Sequence, residues 1–285
     1  MVSTIITHDE IVSKVFNNNI VLVNSDKKEK ILFAKGIGFG KKSGTVIPKG
    51  TEIDKVFIIE EEENKNNFYS AMGKIDTDFF GICEEAIYDI SEILRGDLDE
   101  KIHTSLTDHL FLTVKRLKSN EEIDNPFLIE IQTLYKREYN LAEIVAKKVG
   151  EHSKVKIPEG EIAFIALHIH SAINNKKDFS AFKTSYIGST VVEYLEKRLN
   201  IKIDRKSLDC ARLYTHIKFA IQRILENRPV NNELNKVIKN TYKESYKIAQ
   251  EIVKIIGNEI NVEIQDDEIS FLAIHVERFR NSLKY

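Results

Sequence analysis

The strongest constraint on this 285-residue chain is an internal repeat at an offset of 107 residues. His109-Leu110-Phe111-Leu112-Thr113-Val114-Lys115-Arg116 matches His216-Ile217-Lys218-Phe219-Ala220-Ile221-Gln222-Arg223. Glu161-Ile162-Ala163-Phe164-Ile165-Ala166-Leu167-His168-Ile169 matches Glu268-Ile269-Ser270-Phe271-Leu272-Ala273-Ile274-His275-Val276. Between these blocks Tyr135, Lys136, Tyr139, Ala142, Lys147 and Gly150 meet Tyr242, Lys243, Tyr246, Ala249, Lys254 and Gly257 in the same register. A period this long is a complete small domain rather than a solenoid unit.

Each copy reads as helical. Apolar residues recur at spacings of three and four, as in Leu106, Leu110, Val114 and Leu117, or Ile217, Ile221, Ile224 and Leu225. Glycine and proline are scarce in both copies, as helix interiors require. Pro158 suits the first turn of the helix carrying His168, and Asp266 and Asp267 offer cap chemistry to its counterpart. The spacing predicts two all-α bundles of roughly 100 residues each, joined in the polar stretch 174–180.

The first sixty residues are of another kind. Five of the twelve glycines fall between Gly36 and Gly50, and short β-prone runs alternate with turn signals. Val15-Phe16, Ile20 to Val23, Ile31 to Phe33 and Val56 to Ile59 predict four strands of a small antiparallel sheet. The acidic, asparagine-rich run Glu60 to Asn67 reads as a linker. The expected fold is mixed and multidomain: a β module over 1–60, a linker over 61–70, and duplicated helical bundles over 71–175 and 176–285. A β module this small sits near the lower size limit for folding alone. It needs a partner, and a second copy of itself is the simplest.

Charge is segregated. From Lys14 to Lys49 there are eight lysines against two acids, a surplus of +6, which leaves −8 for the rest of a chain whose formal charge is −2. That is the pattern of a phosphate-binding module on an otherwise acidic protein. Lys35, Lys41 and Lys42 flank Phe39, an aromatic able to stack on an unpaired base, and Asn17 to Asn19 offer donors and acceptors to base edges. The competing reading makes Phe39 core and the lysines a solvated face. Cys83 and Cys210 stand far apart, outside any metal-ligand spacing, and fit a reducing cytoplasm. No signal peptide or long apolar run is visible, so a soluble cytoplasmic protein is expected.

Lys14-Val15-Phe16-Asn17-Asn18-Asn19, followed by Lys35-Gly36-Ile37-Gly38-Phe39-Gly40-Lys41-Lys42-Ser43-Gly44, closely resembles the RNA-binding (CAT) module of BglG-type transcriptional antiterminators. Thr107-Asp108-His109 and Thr215-His216, with the apolar helices centred on His168 and His275, resemble that family's paired phosphotransferase-system (PTS) regulation domains. Asn125-Pro126-Phe127-Leu128, Leu134-Tyr135 and Pro158-Glu159-Gly160-Glu161 look most like the glucose-operon branch, with a β-glucoside operon next. The resemblance implies a dimer whose β module binds an mRNA leader hairpin and prevents a terminator from forming. It carries over Lys14, Asn17, Asn19, Lys35, Gly36 and Phe39 as RNA contacts, with Lys41 and Lys42 beside phosphates. There are departures: Ala34 stands where the family usually has glycine, and Lys35 often corresponds to arginine, whose bidentate fork lysine lacks.

The resemblance also implies phosphorylation of His109, His168, His216 and His275. The donors would be the enzyme II B domain of a sugar transporter and the phosphocarrier HPr. A neutral imidazole is a competent nucleophile near pH 7, and a phosphoryl group adds up to about −2 of charge. Against this, a histidine on an apolar helix is more often a core residue, and His103 and His170, which lack a histidine at plus 107, are weaker candidates. His8 and His152 read as surface residues. No cofactor or metal is expected, because His168 and His170, two apart on a helix, diverge, and neither a P-loop nor a nucleophile elbow appears, which argues against an enzyme. A DNA-binding activator carrying the same regulatory domains is the nearer rival, although it would need a helix-turn-helix at the N-terminus.

Overall fold

The computed structural model describes residues 4–25, 28–174, 181–226, 228, 232–262 and 266–282. Seven strands come first: β1 (Thr4–Ile5), β2 (Glu10–Asn17), β3 (Ile20–Ser25), β4 (Lys28–Phe33), β5 (Val46–Ile47), β6 (Glu52–Ile53) and β7 (Lys55–Ile59). They form an antiparallel five-stranded sheet in the order β5-β2-β3-β4-β7, and β1 pairs with β6. The four strands expected from sequence are β2, β3, β4 and β7. The other three are two residues long, too short for any alternation to show.

Ile20, Val21, Leu22 and Val23 are fully buried, so β3 is covered on both faces, which is why it reads as an unbroken apolar run. One face packs Val12, Val21, Val23 and Leu32 against Ile6, Ile37, Ile47 and Ile53. The other meets helices α2 (Thr77–Leu94) and α3 (Ile102–Lys118). There Phe16 stacks on Phe80 at 5.1 Å, Phe33 on Tyr88 at 5.0 Å, and Phe57 sets against the His103 ring at 4.7 Å. The partner that the small module needs is therefore supplied by its own chain, and size alone no longer argues for a second copy.

Residues 62–70 of the expected linker lie in α1 (Glu62–Lys74), with Glu61 as its N-cap. The Glu100 carboxylate accepts from the backbone N–H groups of Glu60 and Glu61, covering the incoming helix end. Phe68, Ala71 and Ile75 are buried at helical spacing, and Phe68 sets its edge on Phe80 at 5.2 Å.

The chain divides into two compact units, residues 1–125 with 137–175, and residues 126–136 with 176–285. The first adds α5 (Lys136–Ser153) and α6 (Glu159–Ile173) to the β module and α1 to α3. Pro158 is the N-cap of α6, one position before the expected first turn. The second unit contains α4 (Leu128–Leu134), α7 (Ala181–Leu199), α8 (Leu208–Leu225), α9 (Asn235–Thr241), α10 (Lys243–Ile260) and α11 (Asp266–Ser282). Asp267 accepts from the Asn235 amide at 3.0 Å and so ties α9 to α11; the Asp266 side chain lies outside the described residues, as does the expected joint beyond Asn174.

The compact units thus depart from the expected boundary at 175/176, because α4 packs on α7 and α8. Its Glu130, 1% exposed, accepts from Arg205 at 2.9 Å and from the Tyr214 hydroxyl at 2.7 Å. Phe127 meets Phe182 and Tyr186, and Lys218 sits over the Tyr135 ring at 4.3 Å.

Candidate functional site

In the β module the Asn17-Asn18-Asn19 turn and the glycine-rich loop fasten each other. Asn17 Oδ1 accepts from the Asn19 N–H at 2.9 Å, and Asn19 Oδ1 accepts from the Gly36 N–H at 3.0 Å. The carbonyls of Asn18 and Asn19 accept from Gly38 and Ala34. Gly36 has φ +75°, a left-handed conformation that side chains resist. At Gly38 a Cβ would lie 2.1 Å from the Asn17 carbonyl oxygen, so only glycine lets the two turns approach this closely. The product is a rigid loop with Phe39 at its tip.

Phe39 is 74% exposed, which removes the reading of it as core. Lys35, Gly36, Asn19 and Lys42 are exposed around it, while Lys14 and Lys41 are half-buried. Asn17 differs from the others. Its Nδ2 donates to Glu85 Oε1 at 2.7 Å, so both ends of its amide serve the fold. Asn19 and Lys35 also line a crevice of about 240 Å³ whose far wall is Glu85, Tyr88, Asp89 and Lys148. An exposed aromatic among lysines suits an unpaired base and its phosphates.

In the first unit, α3 carries His109 and α6 carries His168, with ring centroids 5.0 Å apart. Glu161 lies beneath them. Its Oε2 is 3.3 Å from His109 Nε2 and accepts from Thr113 at 2.9 Å, while Oε1 accepts from Arg116 at 2.7 Å. Burial alone would raise the Glu161 carboxyl, but the hydrogen bonds from His109, Arg116 and Thr113 outweigh it and hold it at about 2. His168 is pushed down to about 4, first by burial and then by the neighbouring His109.

The second unit repeats the arrangement with one difference. His216 on α8 and His275 on α11 stack with centroids 3.3 Å apart and planes at 19°. Arg223 grips Glu268 with two parallel bonds, at 3.0 and 2.8 Å, and covers the Phe271 ring at 4.7 Å. Burial, then His216, Arg278 and Arg223, hold His275 at about 4. His216 is lowered by burial, Arg223 and Arg278. His168, His216 and His275 are therefore neutral imidazoles at physiological pH, the form with a free lone pair.

The weaker candidates stand apart from the pairs. His103 is 1% exposed, with Nδ1 2.7 Å from Glu84 Oε2, and His170 bonds Glu138 at 2.9 Å and Asn174. His152 lies 3.6 Å from Asp78, and His8 is exposed. Sequence reasoning missed Arg116, Glu161, Arg223, Glu268 and Arg278. The first four do recur at plus 107, inside the aligned blocks. No helix among the described residues is long and apolar enough to cross a membrane.

The family model of the CAT RNA binding domain matches residues 11–66, and that of the PRD domain matches residues 84–172 and 189–279. The chain is similar to Protein GlcT of Staphylococcus saprophyticus, 32% identical over 97% of this chain and 99% of the relative. It is also similar to the GlcA/glcB genes antiterminator of Staphylococcus carnosus, 31% identical over 94% of this chain and 95% of the relative. A crystal structure of GlcT CAT-PRDI is 41% identical, with a TM-score of 0.51, over 59% of this chain and 99% of that one.

Proposed function

This chain belongs to the family of antiterminators that join a CAT RNA binding domain to PRD domains, and from that premise we propose that it controls a sugar-transport operon, glucose by likeness to its relatives. Its β module binds a hairpin in the leader of the nascent mRNA and keeps the overlapping terminator from forming. The single observation that carries this reading is Phe39, 74% exposed at the tip of a loop with exposed lysines on both sides. Lys14, Asn19, Lys35, Gly36 and Phe39 contact the RNA, with Lys41 and Lys42 near phosphates. Asn17, committed to Asn19 and Glu85, positions the turn.

Control comes from the histidine pairs. Phosphoryl groups arrive at His109 and His168 from the enzyme II B domain of the transporter, and at His216 and His275 from HPr. The working form is a cytoplasmic homodimer with two β modules on one RNA, and the β module occupies 1–60. The regulatory domains follow it, with 126–136 grouped with the second compact unit.

The test is binding of the full chain to the leader RNA of a neighbouring sugar-transport operon. Phe39→Ala should weaken it about 10-fold to 100-fold, the worth of one stacked base, and affinity should fall with added salt. Preference for duplex DNA over the hairpin would move the activator reading to the front.

A further inference from the structure

We propose that Arg278 makes the second histidine pair the one that holds a phosphoryl group, whereas the first pair, set against a carboxylate, is built to give it up. The inference rests on reading both pairs as phosphoryl acceptors. It comes from where the repeat breaks. Arg278 corresponds to Ser171, and Thr113, which supports Glu161, corresponds to Ala220.

Arg278 lies on α11 one turn beyond His275, on the same helix face. It is exposed, and no hydrogen bond or ion pair engages it among the described residues. Its charge is felt by both rings, since it helps depress His216 and His275, after burial in each case. The local carboxylate does not compete, because Arg223 holds both oxygens of Glu268. In the first unit the balance differs. Arg116 and Glu161 cancel, and Glu161 Oε2 faces His109 Nε2 at 3.3 Å, where a dianionic phosphoryl group would be repelled. A guanidinium beside the second pair instead supplies a fork of donors to phosphoryl oxygens.

The transfer is symmetric. A ring nitrogen lone pair attacks phosphorus, the P–N bond to the donor imidazole breaks, and the proton of the accepting ring ends on the departing imidazole. Nothing is oxidised or reduced. What Arg278 changes is the equilibrium, because it attracts the phosphorylated state and not the neutral ring.

The full chain would be equilibrated with N-phosphoimidazole and imidazole at a fixed ratio, with phosphoryl occupancy of each pair read by peptide mass spectrometry at alkaline pH. The second pair should show the larger exchange constant. Arg278→Ser should lower that constant about tenfold, the worth of one charge-assisted hydrogen bond, and Arg278→Lys should recover part of it. Ser171→Arg should raise the constant of the first pair. The thermal midpoint of the unphosphorylated Arg278→Ser protein should not move, which separates this role from a structural one. Occupancy of the second pair unchanged in Arg278→Ser overturns the proposal while leaving the acceptor reading intact. Absence of label from both pairs of the unmodified protein overturns the acceptor reading and the proposal with it.

Discussion

His168 and His275 are held near 4, against an ordinary value of 6.5, because each ring is buried and faces another imidazole. A folded-state value below the unfolded one means that the unfolded chain binds more protons between pH 4 and 6.5. Their contribution to stability is therefore complete above 6.5 and lost as pH falls toward 4. Glu161, held at about 2, extends the loss below 4.5. Denaturant unfolding should show stability level from pH 7.5 to 6.5 and falling from 6.5 to 4.5, and the C2 proton shifts of both rings should titrate near 4. A midpoint at 6.5 for either ring would contradict its neutral, nucleophilic state. Gly38→Ala places a Cβ 2.1 Å from the Asn17 carbonyl oxygen, so the loop must shift at a cost of about 1–3 kcal/mol. RNA affinity should fall with it although no contact residue has changed. Unaltered affinity would show that the loop tolerates the shift.

Helices α4 and α9 are equivalents at plus 107, yet they meet different fates. Glu130 of α4 is buried against Arg205 and Tyr214, while Val237, its counterpart on α9, is 59% exposed. Removing one partner of a buried ion pair costs about 3–5 kcal/mol. Arg205 also bonds Ser189 at 2.9 Å and lies 3.8 Å from Glu196, so Glu130→Ala should fall at the low end of that range. Val237→Ala should cost under about 0.5 kcal/mol. Urea unfolding of the two variants checks the contrast, and equal effects would mean that α4 is not held by its carboxylate.

At the scale of the molecule, the β module and the helical domain that follows it share one core. Phe80 touches Phe16 from the sheet and Phe68 from α1, at 5.1 and 5.2 Å. Phe80→Ala should destabilise by about 3–5 kcal/mol, and should do so for β2 and α2 alike. Native-state hydrogen exchange reads this directly, because amides in both elements should lose protection together. Protection retained in β2 but lost in α2 would make the sheet an independent folding unit. The same shared core places Glu85 and Asp89 across a crevice from Asn19 and Lys35, two of the residues proposed to contact RNA.

Much of this organisation was determined locally and could be read from the chain alone. The duplication preserved register, so the four paired histidines, the helical bundles and the glycine loop with its asparagine turn all follow from spacing and residue type. Phe68, Ala71 and Ile75 carried the signal for α1 within a stretch whose acidic and asparagine content suggested a linker. Tertiary structure decided the rest, because it depends on which distant surfaces meet. Glu130 reaches Tyr214 across 84 positions, and local pattern says nothing of a pairing at that range. Glu161 and Glu268 match in sequence as perfectly as the histidines do. Packing turns one oxygen of Glu161 toward His109 while Arg116 holds the other, and leaves both oxygens of Glu268 to Arg223; with Arg278, that difference sets the charge around each pair.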